Sequence, residues 1–207
     1  MSLARRERIA LVATMTEVGP DAPTLCGEWT TRDLAAHLVV RERRPDTGPG
    51  ILIQKFAGYT ERVRSGAAER EWSELLEQVR TGPPIWSLMK PLDSAVNMTE
   101  MFVHHEDVRR GSPGWEPRAL DPADEAKLWS ALRRMARMAY RKSSITVVLT
   151  TLTGERVVAH KGGDREVVLT GTASELLLHA FGRNEVRVEA TGDPADVDAV
   201  HALDRSI

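Results

Sequence analysis

Apolar residues recur at helical spacing through the first two thirds of the chain. Between Ser2 and Val18 the residues Ile9, Val12 and Met15 fall on one side. The pattern stops at Gly19-Pro20, a pair that is typical of helix ends. The spacing therefore predicts a first helix that buries one face.

Further helices are predicted in the same way, separated by short segments rich in glycine and proline. Thr30-x-x-Asp33 resembles a capping box and opens a predicted helix that runs to about Arg43. Asp121-Pro122 places proline at the first position of another helix. The remaining helices are predicted at Ile51 to Ser65, Arg70 to Arg80 and Asp93 to Gly111. Five or six helices with short polar connections predict an antiparallel bundle.

The pattern changes after about Arg141, where β-branched residues replace the helical spacing. Ser144 to Leu152 is strand-like, and Thr153-Gly154 predicts a hairpin into a second strand. The other predicted elements are a strand at Arg165 to Thr170, a helix at Thr172 to Phe181, a strand at Asn184 to Ala190 and a helix at Asp193 to Leu203. The sequence thus predicts an α+β fold, with a helical bundle over residues 1–141 and a small α+β domain over residues 142–207.

The composition narrows the class of protein. The 207 residues are 42% hydrophobic and 28% charged, with a formal net charge of -2, which is ordinary for a globular protein. That balance disfavours a nucleic-acid-binding protein, which would present a strongly basic face. The single cysteine, Cys26, allows no internal disulfide and favours a reducing compartment. The charged start and the lack of a long apolar run predict neither a signal peptide nor a membrane span, hence a cytoplasmic location.

The helix predicted at Asp93 to Gly111 carries the strongest candidate chemistry. Glu100 and His104 are four residues apart, so they lie one turn from each other on one face. A carboxylate oxygen and an imidazole nitrogen in that arrangement can share a divalent cation. At about 100° per residue Asp107 falls on the same stripe, whereas His105 does not.

A third ligand is expected from the second predicted helix, where His37 shares a face with apolar residues. An inward carboxylate near two inward histidines is costly unless something pairs with it, and a bound cation would do so. We therefore expect His37, Glu100 and His104 to hold a metal with open positions, and Asp107 to accept the ring N–H of a ligating histidine. The alternative is that these residues bind no metal. His37 would then be a hydrogen-bonded core histidine, and Glu100 and His104 would form a solvated pair on the helix surface. Spacing alone does not exclude this alternative.

The other motifs are weaker. Arg109 stands where a zincin motif at His105 would need a second histidine, and the sequence has no nucleophile elbow, P-loop or Rossmann fingerprint. Cys26, just before a helix, is explained more easily by packing than as a nucleophile. His179 is expected to be structural or exposed, and Trp29 to be a hydrophobic staple.

Three segments resemble one known family. Leu25-Cys-Gly-Glu-Trp-Thr-Thr-Arg-Asp-Leu-Ala-Ala-His37-Leu is similar to the first metal-ligand segment of mycothiol-dependent maleylpyruvate isomerases. Glu100-Met-Phe-Val-His104-x-x-Asp107 is similar to their second. Gly171 to Arg183 resembles a helix of that family's C-terminal domain. The resemblance implies a DinB-like four-helix bundle that binds metal, followed by a small α+β domain.

The resemblance also implies chemistry. It implies one divalent metal at His37, Glu100 and His104, most often zinc, with nickel, manganese or iron compatible with the same ligands. In the family the metal activates the thiol of mycothiol, and an arginine of the C-terminal domain holds the substrate carboxylate, for which Arg183 is the nearest match. The implied activity is a thiol-dependent transferase or isomerase that acts on a small electrophilic or carboxylate-bearing molecule.

One segment departs from the family pattern. Arg41 to Gly50 does not resemble the isomerase, which indicates a divergent subgroup with a substrate of its own. Two alternatives therefore stay open: a metal-dependent hydrolase with a zinc-activated water, and a non-catalytic metal- or thiol-binding module of the stress response. Turnover without any thiol would distinguish the hydrolase from the transferase.

Overall fold

The structure, a computed structural model, describes residues 1–44, 46, 57–84 and 96–205. It divides into two compact units, Met1–Trp115 and Glu116–Ile207. The predicted α+β class is confirmed, since helices form the first unit and a four-stranded sheet with helices forms the second. None of the helices in these described ranges is long and apolar enough to cross a lipid bilayer.

The first unit contains five described helices. They are α1 (Leu3–Val18), α2 (Thr31–Arg43), α3 (Ala57–Ala68), α4 (Trp72–Thr81) and α5 (Val96–Arg109). The predicted capping box is confirmed at the start of α2: the Thr30 side chain accepts from the Asp33 backbone, and the Asp33 side chain accepts from the Thr30 backbone. The predicted starts of α3 at Ile51 and of α5 at Asp93 lie outside the described residues.

Four of these helices share one hydrophobic core. α1, α2, α4 and α5 contribute the buried side chains Leu11, Met15, Leu34, Ala35, Leu38, Val39, Leu75, Leu76, Val79, Met101 and Val108. α3 contributes instead to a smaller cluster, in which Ala67 packs with Ala36 and Val40 of α2. The described part of the unit is thus a bundle of four helices with one added helix, and the close packing of its core keeps α2 and α5 at a fixed spacing.

The second unit is built around its sheet. Its elements are α6 (Pro122–Ala139), β1 (Thr146–Thr151), β2 (Arg156–His160), β3 (Glu166–Gly171), α7 (Ala173–Ala180), β4 (Glu189–Thr191) and α8 (Pro194–His201). The strand order is β2-β1-β3-β4. β1 pairs antiparallel with β2 and parallel with β3, and β3 pairs antiparallel with β4. β4 is shorter than predicted, because the backbone N–H of Arg187 donates to Glu175 rather than to a strand.

The boundary between the units lies earlier than the sequence pattern indicates. The change of pattern near Arg141 places it at 141/142, whereas the compact units divide between Trp115 and Glu116. The reason is α6, which packs against α7 and β2. The buried face of α6, around Trp129, therefore belongs to the core of the second unit.

Candidate metal centre

Three side chains from α2 and α5 converge inside the bundle. His37 projects from the middle of α2, and Glu100 and His104 lie one turn apart on α5. Glu100 Oε1 is 3.6 Å from His37 Nε2 and 3.2 Å from His104 Nε2. Each residue offers one ligand atom, and these atoms all lie within 4.8 Å of one another. The structure thus brings together the three residues that the sequence singles out.

This donor set fits a divalent cation. Zinc binds imidazole nitrogens and carboxylate oxygens at about 2.0–2.2 Å, so two ligands of a tetrahedral ion are about 3.4 Å apart. The distances of 3.6 and 3.2 Å from Glu100 Oε1 to His37 and His104 match that spacing. Three protein ligands leave a position open for water or a substrate, as in catalytic zinc sites.

Asp107 fixes the orientation of the His104 ring. Its carboxylate is fully buried and accepts a hydrogen bond from His104 Nδ1 at 2.9 Å. The other ring nitrogen, Nε2, then faces Glu100. Ligating histidines usually donate their second ring N–H to a carboxylate in this way. Asp107 therefore selects the tautomer that metal binding through Nε2 requires.

The three groups differ in charge although all lie inside the bundle. Burial alone would raise the pKa of the Glu100 carboxyl, but hydrogen bonds from His104 and His37 and the charge of Arg41 hold it well below its usual range. Burial lowers the pKa of His37. Burial would also lower the pKa of His104, but hydrogen bonds, led by the one to Asp107, raise it well above its usual range. A cation that binds here finds an anionic carboxylate and must displace a proton from His104.

The loop before α2 contacts the centre from a second side. Cys26 Sγ donates to Asp107 Oδ2 at 3.1 Å, the oxygen that also accepts from His104 Nδ1. Gly111 permits this approach, because a Cβ there would lie 2.1 Å from the carbonyl oxygen of Pro23. Cys26 also packs against the bundle core, as predicted. Its polar contact with Asp107 is a feature that the sequence pattern did not reveal.

Aromatic packing holds His37. The Trp29 ring centroid lies 5.1 Å from that of His37, and the Arg64 guanidinium lies 5.0 Å from the Trp29 centroid. Arg64 pairs in turn with Asp33, the residue that completes the capping box of α2. Trp29 packs against the core cluster as well, in line with the predicted hydrophobic staple. The start of α2 and the orientation of His37 thus depend on shared contacts.

The remaining candidate residues lie elsewhere. His105 is directed at α1, where its Nδ1 is 2.8 Å from Glu7 Oε2 and its Nε2 is 3.0 Å from Thr14 Oγ1. Arg183 belongs to the second unit, just after α7, and its Nη1 donates to the carbonyl oxygen of Phe181 at 2.6 Å. The contact of Arg183 with a substrate carboxylate stays a prediction.

Comparisons with known proteins agree with the family resemblance. Residues 2–82 match the family model of the mycothiol maleylpyruvate isomerase N-terminal domain, a match that includes His37 and ends before α5. The chain is also similar to a solved structure described as the crystal structure of the mycothiol-dependent maleylpyruvate isomerase, with 14% identity and a TM-score of 0.63. That similarity covers 91% of this chain and 90% of the other. No curated protein sequence matches the chain.

The two similarities concern different parts of the chain: one its fold as a whole, the other its first helices. The fold is that of a helical bundle with a small α+β unit, as in the isomerase structure. Residues 2–82 match the family model of the mycothiol maleylpyruvate isomerase N-terminal domain, in agreement with the resemblance drawn from the sequence. At 14% identity the structural similarity shows the fold alone. The reaction must therefore be argued from the site.

Proposed function

We propose that His37, Glu100 and His104 bind one divalent metal ion, zinc in preference to nickel, manganese or iron, and that the protein is a mycothiol-dependent transferase or isomerase. The observation that carries the proposal is the convergence of two imidazole nitrogens on one carboxylate oxygen, at 3.2 and 3.6 Å. The domain match over residues 2–82 is the reason for naming mycothiol as the thiol.

The surrounding residues have distinct roles in this proposal. When bound, the metal supplies positive charge that favours the thiolate form of a coordinated thiol. Glu100 offers an anionic oxygen, because its pKa is held low, and His37 offers a neutral nitrogen, because burial lowers its pKa. Asp107 keeps His104 Nε2 directed at the site. The substrate is a small electrophilic or carboxylate-bearing molecule, whose carboxylate Arg183 would bind as a bidentate pair.

Metal content tests the site. Elemental analysis of the purified protein is compared with that of the His37→Ala, Glu100→Ala and His104→Ala variants, with His160→Ala of β2 as a control histidine. We expect one metal ion per chain in the wild type and in the control, and almost none in the other three. Equal metal content in all five proteins would refute the proposed centre.

Thiol dependence tests the reaction. The metal-loaded protein is assayed with maleylpyruvate and with a chloronitrobenzene electrophile, in the presence and in the absence of mycothiol. We expect turnover only when the thiol is present. Hydrolysis of an ester or amide substrate without thiol would favour the hydrolase instead. Stoichiometric mycothiol binding without turnover of any substrate would favour the non-catalytic module.

A further inference from the structure

Arg41 begins the segment in which the chain departs from the isomerase pattern, and its guanidinium lies against the proposed metal centre. Arg41 Nε is 3.3 Å from Glu100 Oε1, the oxygen that faces both histidines. Arg41 Nη1 donates to Asn97 Oδ1 at 3.0 Å, and Asn97 is fully buried three residues before Glu100 on α5. Only 10% of the Arg41 side chain is exposed. The guanidinium is therefore held by two groups of α5.

This contact changes the net charge of the ligand set. When the two histidines act as ligands they are neutral, so the three ligands together carry the single negative charge of Glu100. The guanidinium of Arg41 carries a positive charge that offsets it. The buried carboxylate of Asp107, which accepts from His104, adds a second negative charge. With a divalent cation the centre and Asp107 together then carry one net positive charge, where without Arg41 they would carry none. Water only partly screens this positive charge, since the side chains of Arg41, Glu100 and His37 are 10, 21 and 24% exposed. The charge therefore attracts an anion more strongly than a neutral molecule.

We propose that Arg41 determines which ligand binds at the open position of the metal. Because Arg41 shares Glu100 Oε1 with the cation, it weakens cation binding. Its positive charge also makes the centre bind a small anion in preference to neutral water. The anion is a thiolate or a carboxylate. This inference rests on the proposed metal centre and deepens it, because it assigns the class of ligand from charge and geometry. It also separates a thiol-dependent enzyme from a hydrolase, whose open position must accept water.

A charge-removal series tests the inference. Arg41→Met removes the charge and keeps a side chain of similar length, whereas Arg41→Lys keeps the charge. Arg80→Met is the control, since Arg80 is exposed and pairs with exposed Glu77 on α4, so that variant loses the same charge elsewhere. Cobalt(II) serves as the probe metal because its visible spectrum reports its ligands. Azide serves as the probe anion, and 2-mercaptoethanol as the probe thiol, which releases its proton to the buffer and binds as the thiolate; all titrations are made at one fixed pH.

Opposite changes in the two affinities are expected. Arg41→Met should bind cobalt about tenfold more tightly than the wild type and bind each anion about tenfold more weakly. Arg41→Lys and Arg80→Met should stay within about twofold of the wild type for both. If Arg41→Met does not fold, Arg41→Gln gives the same comparison with a more polar side chain.

The outcomes separate this inference from the proposed function. Unchanged anion affinity in Arg41→Met, or weaker cobalt binding, would overturn the role of Arg41 and leave the metal centre intact. Failure of the wild-type protein to bind cobalt, zinc, nickel, manganese or iron would overturn both. Stronger anion binding after removal of the charge would likewise overturn the role of Arg41.

Discussion

Both units bury histidines, but within the described residues only the first unit arranges histidines as a ligand set. In the bundle two imidazoles converge on the carboxylate of Glu100. In the second unit His179 lies between a phenol and another imidazole, with its Nδ1 2.7 Å from the Tyr140 hydroxyl oxygen and its Nε2 3.2 Å from His201 Nδ1. The difference between the two clusters is the carboxylate, since Glu100 supplies a third ligand atom to its pair of histidines whereas the neighbours of His179 are a phenol and an imidazole.

The pKa shifts separate the two clusters further. Burial, with smaller contributions from the charges of Arg205 and His201, lowers the pKa of His179 to about 3. Arg205 is itself buried and donates to backbone carbonyl oxygens, including that of His179. The His179 cluster is therefore neutral at its centre and serves to hold elements of the second unit together. In the bundle the pKa of His104 moves the other way, despite burial, because of its hydrogen bonds to Asp107 and other groups.

Removal of His179 is the strongest test of this contrast. His179→Ala leaves the buried Tyr140 hydroxyl without its imidazole partner and opens a cavity, so we expect a loss of about 2–4 kcal/mol in the free energy of unfolding. Its metal content should equal that of the wild type. His104→Ala should show the reverse, with metal lost and a smaller change in stability. Denaturant titration measures the stability of both variants, and elemental analysis measures their metal content. A stable His179→Ala protein that lacks metal would show that the two clusters have the opposite roles.

Acid should destabilise the second unit through His179. The pKa of His179 is about 3 in the folded protein against a usual value of 6.5, so below pH 6.5 the unfolded chain binds a proton that the folded chain does not. The contribution of His179 to the free energy of unfolding is therefore fully present above pH 6.5. It falls as the pH drops, by about 2 kcal/mol at pH 5. Tyr140, His201 and Arg205 face His179, and none of them is a carboxylate that would stabilise its charged form.

The measurement is denaturant unfolding at a series of pH values between 7 and 4. His179→Gln, which does not titrate, should show a stability that declines less steeply over the same range. Identical slopes in the two proteins would mean that other groups carry the acid sensitivity.

Asp107 should affect metal affinity through the orientation of His104. Asp107→Asn keeps the shape of the side chain but weakens the hydrogen bond that orients His104, so metal affinity should fall by about tenfold or more. Glu7→Gln is a matched control, because Glu7 pairs with His105 in the same way on another face of α5. Competition titration with a chelating indicator gives both affinities. If Glu7→Gln weakens metal binding as much as Asp107→Asn, the effect comes from helix packing and not from His104.

The smallest expected effect belongs to Cys26. Cys26→Ala removes the thiol that donates to Asp107 Oδ2, and we expect metal affinity to fall about threefold, because a thiol is a weak donor. Cys26→Ser keeps a donor and should restore most of the affinity. Equal losses in the two variants would assign Cys26 to packing alone.

Much of the site could be predicted because its parts are local. Glu100, His104 and Asp107 lie within two turns of one helix, so the period of 3.6 residues alone puts them on one face and directs His105 elsewhere. His37 required the inward face of a second helix and the family resemblance. The contacts of Cys26 and Arg41 with α5 depend on how a loop and a helix pack in three dimensions, which periodicity does not encode.

The fold, too, is predictable only where its signals are local in the chain. The helices and strands were predicted from spacing, turn residues and caps such as Thr30, since each of these signals is local in the chain. The division of the chain between Trp115 and Glu116 does not follow from such signals, because α6 has the periodicity of any amphipathic helix. Its partners in the second unit, α7 and β2, follow it in the chain and leave no mark on its own pattern.

Gly111 has a consequence for how sequences of this kind can vary. Its Cα faces the carbonyl of Pro23 so closely that even a methyl group would be placed 2.1 Å from the oxygen. A substitution there must push the loop away from α5, and with it the thiol that reaches Asp107. A position that touches none of the three proposed ligands is therefore among the least tolerant of mutation in the bundle, and its loss would alter the centre without changing any group in it.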